Sequence, residues 1–448
     1  MSNVRFGTDG VRGVANEALT VETALAIARA AVRVLPSERV VIGSDTRWSG
    51  PMLTAAVTAG VCAEGADALV LGVVPTPAVA AVAARDGITG IMISASHNRF
   101  ADNGIKVFAP GGRKLSDDEQ AAVEAAIAEL GNADSHAGPT GAGVGRPVED
   151  PSAVPHYLSS VEAVLEGRRL DGLRVVVDCA NGSNSELGPR LLRSVGAEVV
   201  VIADEPDGLN INDGCGSTST DALRAAVVSH GAHVGIAFDG DADRLVAVDE
   251  LGAEVDGDHI IALCAADLAA RDELTDRTVV VTVMSNLGFL RAMQAADIRV
   301  VQTPVGDRHV LEALASGGYS LGGEQSGHII FSRHASTGDG LLAATVLLDL
   351  LARAGRPLSE LAAAAMTRLP QVLVNVTVSS PQPDVATRLA DQIAAADERL
   401  GEDGRVLLRP SGTEPVVRVM VEAADEHLAG EVAEQLADAV RAGSSTTG

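Results

Sequence analysis

Unbroken runs of β-branched residues recur along the chain and set the first expectation. "RVVIGSD" (39–45), "RVVVDCANG" (174–182) and "TVVVTVMSN" (278–286) each end in a small polar loop and lead into a stretch with helical spacing. A second run follows each at "DALVLGVVPTP" (67–77), "AEVVVIADEP" (197–206) and "IRVVQTPVGD" (298–307). A third closes each set at "GIMISASHN" (90–98), "VGIAFDGDADR" (234–244) and "SLGGEQSGH" (320–328). Apolar strands without alternation, separated by helical stretches, predict mostly parallel sheets covered on both faces. Three such sets in series predict three related α/β/α domains. In open α/β sheets ligands bind beyond the carboxyl ends of the strands, so the third-strand loops are where chemistry is expected.

The chain ends on a different plan. "VLVNVTVSS", a helix to about Arg399, "RVLLRPSGTEPVVRVMVEA" and a closing helix predict a smaller α+β domain, with "PSG" as the turn between paired strands. The Gly-rich stretch 131–155 breaks the periodicity and reads as the linker between the first two domains. Its GxGxG follows no strand and does not fit the dinucleotide fingerprint. The expected domains are 1–150, 151–252, 253–369 and 370–448.

Composition narrows the function. A length of 448 residues exceeds one ordinary core and supports several domains. A formal charge of −26 and only 2% aromatic residues argue against a nucleic-acid partner. A small phosphorylated ligand remains compatible where cations are concentrated locally. Cys62, Cys179, Cys215 and Cys264 are far apart and form no CxxC pair, so reduced, mostly buried thiols of a cytoplasmic protein are expected. Neither a signal peptide nor a membrane-length apolar run is read, so no membrane partner is expected.

The loops carry the chemistry. In "FDGDADR" (238–244), Asp239, Asp241 and Asp243 alternate with small residues, and an extended backbone would aim all three carboxylates to one side. Three like charges at that spacing call for a cation, and all-oxygen ligation suits Mg²⁺. An EF-hand loop is excluded because Arg244 stands at the sixth position, where its sharp turn requires Gly. The bland alternative is an acidic solvated turn, against which stands the buried-looking strand "VGIAF" that runs into it.

"ISASHN" offers Ser96 and His97, but a serine hydrolase would want the G-x-S-x-G elbow, and both glycines are absent. In extended chain the next residue's side chain also points to the opposite side. A serine beside a metal triplet suggests phosphoryl transfer instead, with Arg12, Arg244 and Lys106 as candidate cations. Lys106 is one of only two lysines, the other being Lys114. "GGEQSGH" (322–328) puts Glu324 and Ser326 on one side of an extended loop, a pair suited to sugar hydroxyls. "RPSGTEPVVRV" (409–419) offers two arginines, two hydroxyls and a glycine turn, a phosphate cradle that needs no metal. The competing reading of both is an ordinary turn.

Taken together, FGTDGVRG, SASHN, DNGIK, DGDADR, GEQSGH and RPSGTEP run in order over essentially the whole chain. In this the chain resembles the α-D-phosphohexomutase superfamily. The resemblance implies three related α/β/α domains plus a smaller α+β C-terminal domain around a central cleft. It implies a phosphoserine at Ser96 and Mg²⁺ ligands at Ser96, Asp239, Asp241 and Asp243. Catalytic roles fall on Arg12, His97, Lys106 and Arg244. Sugar contacts fall on Thr303, Gly306, Asp307, Glu324, Ser326 and His328, and the phosphate loop on Arg409, Ser411, Gly412, Thr413 and Arg418.

The implied reaction is a two-step phosphoryl exchange through a 1,6-bisphosphate, with closure of the last domain during turnover. Gln325, "PVGDRHVLE" and "FGTDGVRGVAN" lie closer to the amino-sugar branch than to the mannose and glucose branch. The expected partner is therefore a phosphorylated hexosamine, glucosamine 6-phosphate or 1-phosphate, feeding UDP-N-acetylglucosamine synthesis. Glucosamine 1,6-bisphosphate or a related sugar bisphosphate is the expected activator, and the protein is expected to be a monomer or homodimer. The alternatives are a mannose and glucose phosphate mutase and a non-catalytic phosphosugar-binding protein. The presence of the nucleophile and all three carboxylates disfavours the latter. One departure stands out: Arg99 occupies the place where the family usually has Pro after S-H-N. Proline would fix φ and restrict Asn98, so a more mobile loop is expected, with a cation that alters phosphate affinity.

Overall fold

The computed structural model describes residues 4–7, 9–35, 37–130, 138–380, 382–410 and 415–444. Each of the three repeated sets builds one sheet with the same parallel centre. In the first, Arg39–Ser44 lies between Asp67–Val73 and Thr89–Ile93. In the second, Arg174–Asp178 lies between Glu198–Ile202 and Val234–Phe238. In the third, Thr278–Thr282 lies between Arg299–Thr303 and Leu321–Gly323. Val176, Val177, Ile236, Val280 and Val281 on these strands are fully buried. Each such side chain contributes about 1.5–3 kcal/mol relative to exposure.

The sheets are mixed, because each third strand turns back on itself. Asp102–Ala109 runs antiparallel to Thr89–Ile93, Leu245–Asp249 to Val234–Phe238, and Ile329–Phe331 to Leu321–Gly323. A parallel return would need a crossover of about a dozen residues or more, and these short polar loops permit only a hairpin. All three loops singled out in the sequence are therefore hairpin connections at the same place in the repeated plan.

The described part of the Gly-rich segment, 138–155, is docked on the first sheet. Pro147–Val148 joins the first sheet as a strand parallel to Ala68–Leu69. Gly145 donates to the Cys62 carbonyl, and a Cβ there would fall 1.9 Å from the Ala66 carbonyl oxygen. The docking needs glycine. Cys179, Cys215 and Cys264 are buried, Cys62 is half-buried, and all four are free thiols. Among the described residues no helix is long and apolar enough to cross a membrane.

The chain divides into two compact units, Met1–Met284 with Ile298–Ala365, and Ser285–Asp297 with Met366–Gly448. The helix Leu287–Ala295 thus belongs with the C-terminal unit, not with the strand Thr278–Thr282 that precedes it. In that unit Val416–Glu422 pairs antiparallel with Gln371–Thr377 on one side and Arg405–Pro410 on the other. Val417, Val419 and Val421 alternate along the strand and pack with Val432, Leu436 and Val440 of the closing helix. The strands Arg405–Pro410 and Val416–Glu422 are paired as expected, with Arg409 directly opposite Arg418, so both cations share one face.

Candidate active site

Ser96 lies just past the strand Thr89–Ile93 and is 1% exposed, with a left-handed φ of +54°. That turn corrects the expectation drawn from an extended chain. His97 does not point away: its Nδ1 is 3.3 Å from Ser96 Oγ. The Ser96 hydroxyl donates to Asp239 Oδ2 at 2.6 Å, which uses its only proton, so His97 Nδ1 is the donor in the second contact. Burial, with Arg244 and Arg12 close by, pulls the His97 pKa down to about 4. The imidazole is neutral at pH 7.

The acidic loop also departs from the extended reading. Asp239 to Asp243 form a turn in which Ala242 takes φ +55°. The three carboxylates converge through that turn rather than through strand alternation, and they come within 4.8 Å of one another. They are 1%, 0% and 5% exposed. Burial and the Asp243 and Asp241 charges push the Asp239 pKa well above the usual carboxylate range. Burial opposes ionisation of Asp243 too, but Lys106, His328 and Arg244 outweigh it and hold its pKa well below that range. Asp241 Oδ1 and Asp243 Oδ1 are buried without a hydrogen-bond partner. A converging, all-oxygen set with unpartnered atoms fits a hard divalent cation such as Mg²⁺.

Lys106 comes from Asp102–Ala109, the return strand of the Ser96 hairpin. Its Nζ donates to Asp241 Oδ2 at 2.7 Å and Asp243 Oδ2 at 3.0 Å. Burial works against its charge, but Asp241 and Asp243 outweigh that and keep the ammonium protonated well above its usual range. Arg12, on Val11–Val14, has Nη2 3.2 Å from Asp9 Oδ2, while its Nε and Nη2 make no hydrogen bond. Arg244 Nε is likewise buried without a hydrogen bond, 3.8 Å from Asp243 Oδ1.

The third loop joins the other two. Glu324 to Gly327 form a tight turn, closed by Gly327 N donating to the Glu324 carbonyl, so Glu324 and Ser326 do not sit on an extended segment. Leu245, the residue after Arg244, donates to the Gly327 carbonyl at 2.9 Å, which pins the two loops together. His328 lies 3.7 Å from Asp243 Oδ1 and 3.4 Å from Asp307 Oδ2. Gly306 N donates to Glu324 Oε1 at 3.2 Å, and the Thr303 hydroxyl is buried against the Pro304 carbonyl. Ser326 is exposed.

Four residues escaped the sequence reading of the site. Thr76 donates through its hydroxyl to Asp241 Oδ2 at 2.6 Å and through its N–H to the Asp241 carbonyl. Lys114 pairs with both Asp9 and Asp307. Arg47 and Asn212 hold the Ser96 loop. Of these only Lys114 gave a signal, as half of the chain's lysine content. Arg99 presents an exposed side chain, and its carbonyl accepts from Arg47, which supplies a restraint where the family's Pro is missing.

In the other unit, Arg418 Nε is buried without a hydrogen bond. Ser411, Gly412 and Thr413 lie outside the described residues.

Comparison with known proteins agrees with this geometry. The chain matches the phosphoglucomutase/phosphomannomutase α/β/α domains I, II and III over residues 3–134, 155–252 and 256–369. It matches the C-terminal domain of the same proteins over 373–439. It is 56% identical to a phosphoglucosamine mutase of Frankia alni, over 98% of each chain. A phosphoglucosamine mutase of Thermobifida fusca is 54% identical over 97% of this chain and 98% of that one. A crystal structure of a phosphoglucomutase/phosphomannomutase family protein from Burkholderia thailandensis superposes with TM-score 0.82 at 25% identity, covering 99% of this chain and 98% of that one.

Proposed function

The chain belongs to the phosphoglucomutase/phosphomannomutase family, and we propose that it interconverts glucosamine 6-phosphate and glucosamine 1-phosphate through a phosphoserine at Ser96. The reaction type rests on the Ser96 hydroxyl, 2.6 Å from Asp239 of a buried acidic triad. It is a phosphoryl acceptor beside groups that call for a cation. The choice of sugar is supported by the 56% identity to a phosphoglucosamine mutase.

In the forward direction phosphorylated Ser96 passes its phosphoryl group to O1 of glucosamine 6-phosphate. The Oγ–P bond breaks, the O1–P bond forms, and the O1 proton passes to a base in the site. The 1,6-bisphosphate turns over and returns its 6-phosphoryl to Ser96, releasing glucosamine 1-phosphate. Glucosamine 1,6-bisphosphate or a related sugar bisphosphate restores the phosphoserine when it is lost. When bound, Mg²⁺ on Asp239, Asp241, Asp243 and Ser96 supplies positive charge against the transferring group.

Of the chain's own groups, Arg12, Lys106 and Arg244 balance charge around Ser96, and the neutral His97 orients its oxygen. Thr303, Gly306, Asp307, Glu324, Ser326 and His328 bind the sugar. Arg409, Ser411, Gly412, Thr413 and Arg418 hold the phosphate that is not being transferred. The proposed setting is the cytoplasm, with the protein a monomer or homodimer.

A mutase assay across glucosamine, glucose and mannose 1- and 6-phosphates tests the substrate. The expected result is a kcat/KM for glucosamine phosphates at least about tenfold above the others, roughly 1.4 kcal/mol of transition-state discrimination. Equal or better turnover of mannose phosphates would overturn the choice of sugar and leave the phosphoserine reaction standing.

The C-terminal loop has its own expected result. Arg418→Ala weakens binding of 1- and 6-phosphates alike, by about 1.5–3 kcal/mol for charge-assisted hydrogen bonds. Titration of the variant with each sugar phosphate measures both. Loss confined to one isomer would make the loop specific to one end of the sugar.

A further inference from the structure

Arg47 is the largest side chain in the fully buried set, and every N–H of its guanidinium is used. Nε donates to Asp45 Oδ2 at 2.8 Å. Nη2 donates to the carbonyls of Ser96 and Asn98 at 2.8 and 2.9 Å, and Nη1 to those of Arg99 and Asp102. An ion pair kept only for stability would need the Asp45 contact alone. Four of the five donors go instead to the loop that carries Ser96.

A second grip comes from the next domain. Asn212, itself at φ +57°, donates through Nδ2 to the Ser96 carbonyl at 2.9 Å and the Asn98 carbonyl at 3.1 Å. These are the two oxygens that Arg47 Nη2 also holds. Between them runs the acidic loop: a Cβ on Gly240 would fall 2.6 Å from the Ser96 carbonyl oxygen and 2.8 Å from Asn212 Nδ2.

We infer that Arg47 and Asn212 are positioning residues that lock the Ser96 loop against the acidic loop from two domains, and so keep the Ser96 oxygen in line with Asp239. The inference rests on the reading of Ser96 as the phosphoryl carrier. It follows from where the peptide dipoles are sent. In a planar trans peptide the C=O and the following N–H point in opposite directions. Carbonyls of Ser96 and Asn98 drawn onto the guanidinium therefore turn the N–H groups of His97 and Arg99 away from it. Neither N–H donates to an acceptor among the described residues.

The loop then presents donors on the side away from Arg47, the polarity a phosphoryl group requires. A relay fixes the near end as well. Asp45 Oδ2 accepts from the Ser94 hydroxyl at 2.7 Å, and the Ser94 oxygen accepts from Ser96 N at 2.8 Å. Arg47 acts through the loop, not on the substrate. Lysine cannot replace it, because one ammonium cannot span four carbonyls in a planar fork.

The test uses the full chain with Arg47→Lys and Asn212→Ala, and Arg29→Lys as a control. Arg29 forms a buried ion pair with Glu64 in the first helix and its partner helix end, outside the site. Steady-state rates, Tm and phosphate on Ser96 after incubation with glucose 1,6-bisphosphate are measured for each. The expected kcat falls about 100-fold in Arg47→Lys and about tenfold in Asn212→Ala, with KM for the sugar phosphate within about threefold of wild type. The control loses Tm but keeps its kcat. Folded variants with kcat within about twofold of wild type, or with KM rising as far as kcat falls, would overturn the lock. If Arg47→Lys does not fold, Asn212→Ala decides by the same criteria. Wild-type protein that carries no phosphate on Ser96 would overturn the carrier reading, and the lock with it. Phosphate on wild-type Ser96 with unaffected variants would overturn the lock alone.

Discussion

Ser96→Ala is expected to lower mutase activity by about four orders of magnitude or more, the scale seen when a covalent nucleophile is removed. No neighbour can take its place, because the hydroxyl that meets Asp239 at 2.6 Å is held by a left-handed turn that no adjacent residue shares. His97 is the nearest other candidate, yet its Nδ1 faces Ser96 Oγ as a donor. Folding should survive, since the change deletes one buried hydroxyl and its two hydrogen bonds, each about 0.5–1.5 kcal/mol net. Peptide mass spectrometry after incubation with a sugar bisphosphate should find one phosphate on wild-type Ser96 and none on the variant. An active variant with phosphate on another residue would refute the assignment.

Removing a carboxylate of the triad is the next largest effect. Asp241→Ala is expected to cost about 10³-fold in kcat, roughly 4 kcal/mol, as metal charge stabilisation is worth several kcal/mol. Asp241 is the informative position because it is fully buried and carries two other contacts, from Thr76 and Lys106. Its loss removes a cation ligand and also leaves the Lys106 ammonium with Asp243 as its one remaining hydrogen-bond partner. Asp239→Ala and Asp243→Ala should fall in the same range. Excess chelator should reproduce the loss in wild-type protein, and Mg²⁺ should reverse it. Full activity in chelator would show that the triad works without a bound cation.

Much of this was legible in the chain, and the reasons differ by element. Strands such as Arg174–Asp178 and Thr278–Thr282 show because each carries three consecutive valines, buried on both faces. The three loops show because polar residues break those runs where ligands bind. The return strands were harder: Asp102–Ala109 begins with Asp-Asn-Gly, which reads as a turn, and only its pairing with Thr89–Ile93 makes it a strand.

The backbone turns by which the site converges could not be read. Ser96 and Ala242 adopt positive φ without being glycine, a conformation that has no sequence signature. Thr76, Arg47 and Asn212 act on residues 165, 49 and 116 positions away. Periodicity says nothing about contacts at such separations.

The lysine network has a practical consequence for labelling chemistry. Apart from its amino terminus, the protein's side-chain amines are Lys106 and Lys114, and both are committed to carboxylates, at 6% and 14% side-chain exposure. An acylating reagent or amine cross-linker therefore meets almost no reactive nitrogen on the folded surface. Slow modification of either lysine reports opening of the ion-pair network itself. The enzyme thus carries an intrinsic reporter of site opening that needs no engineered label.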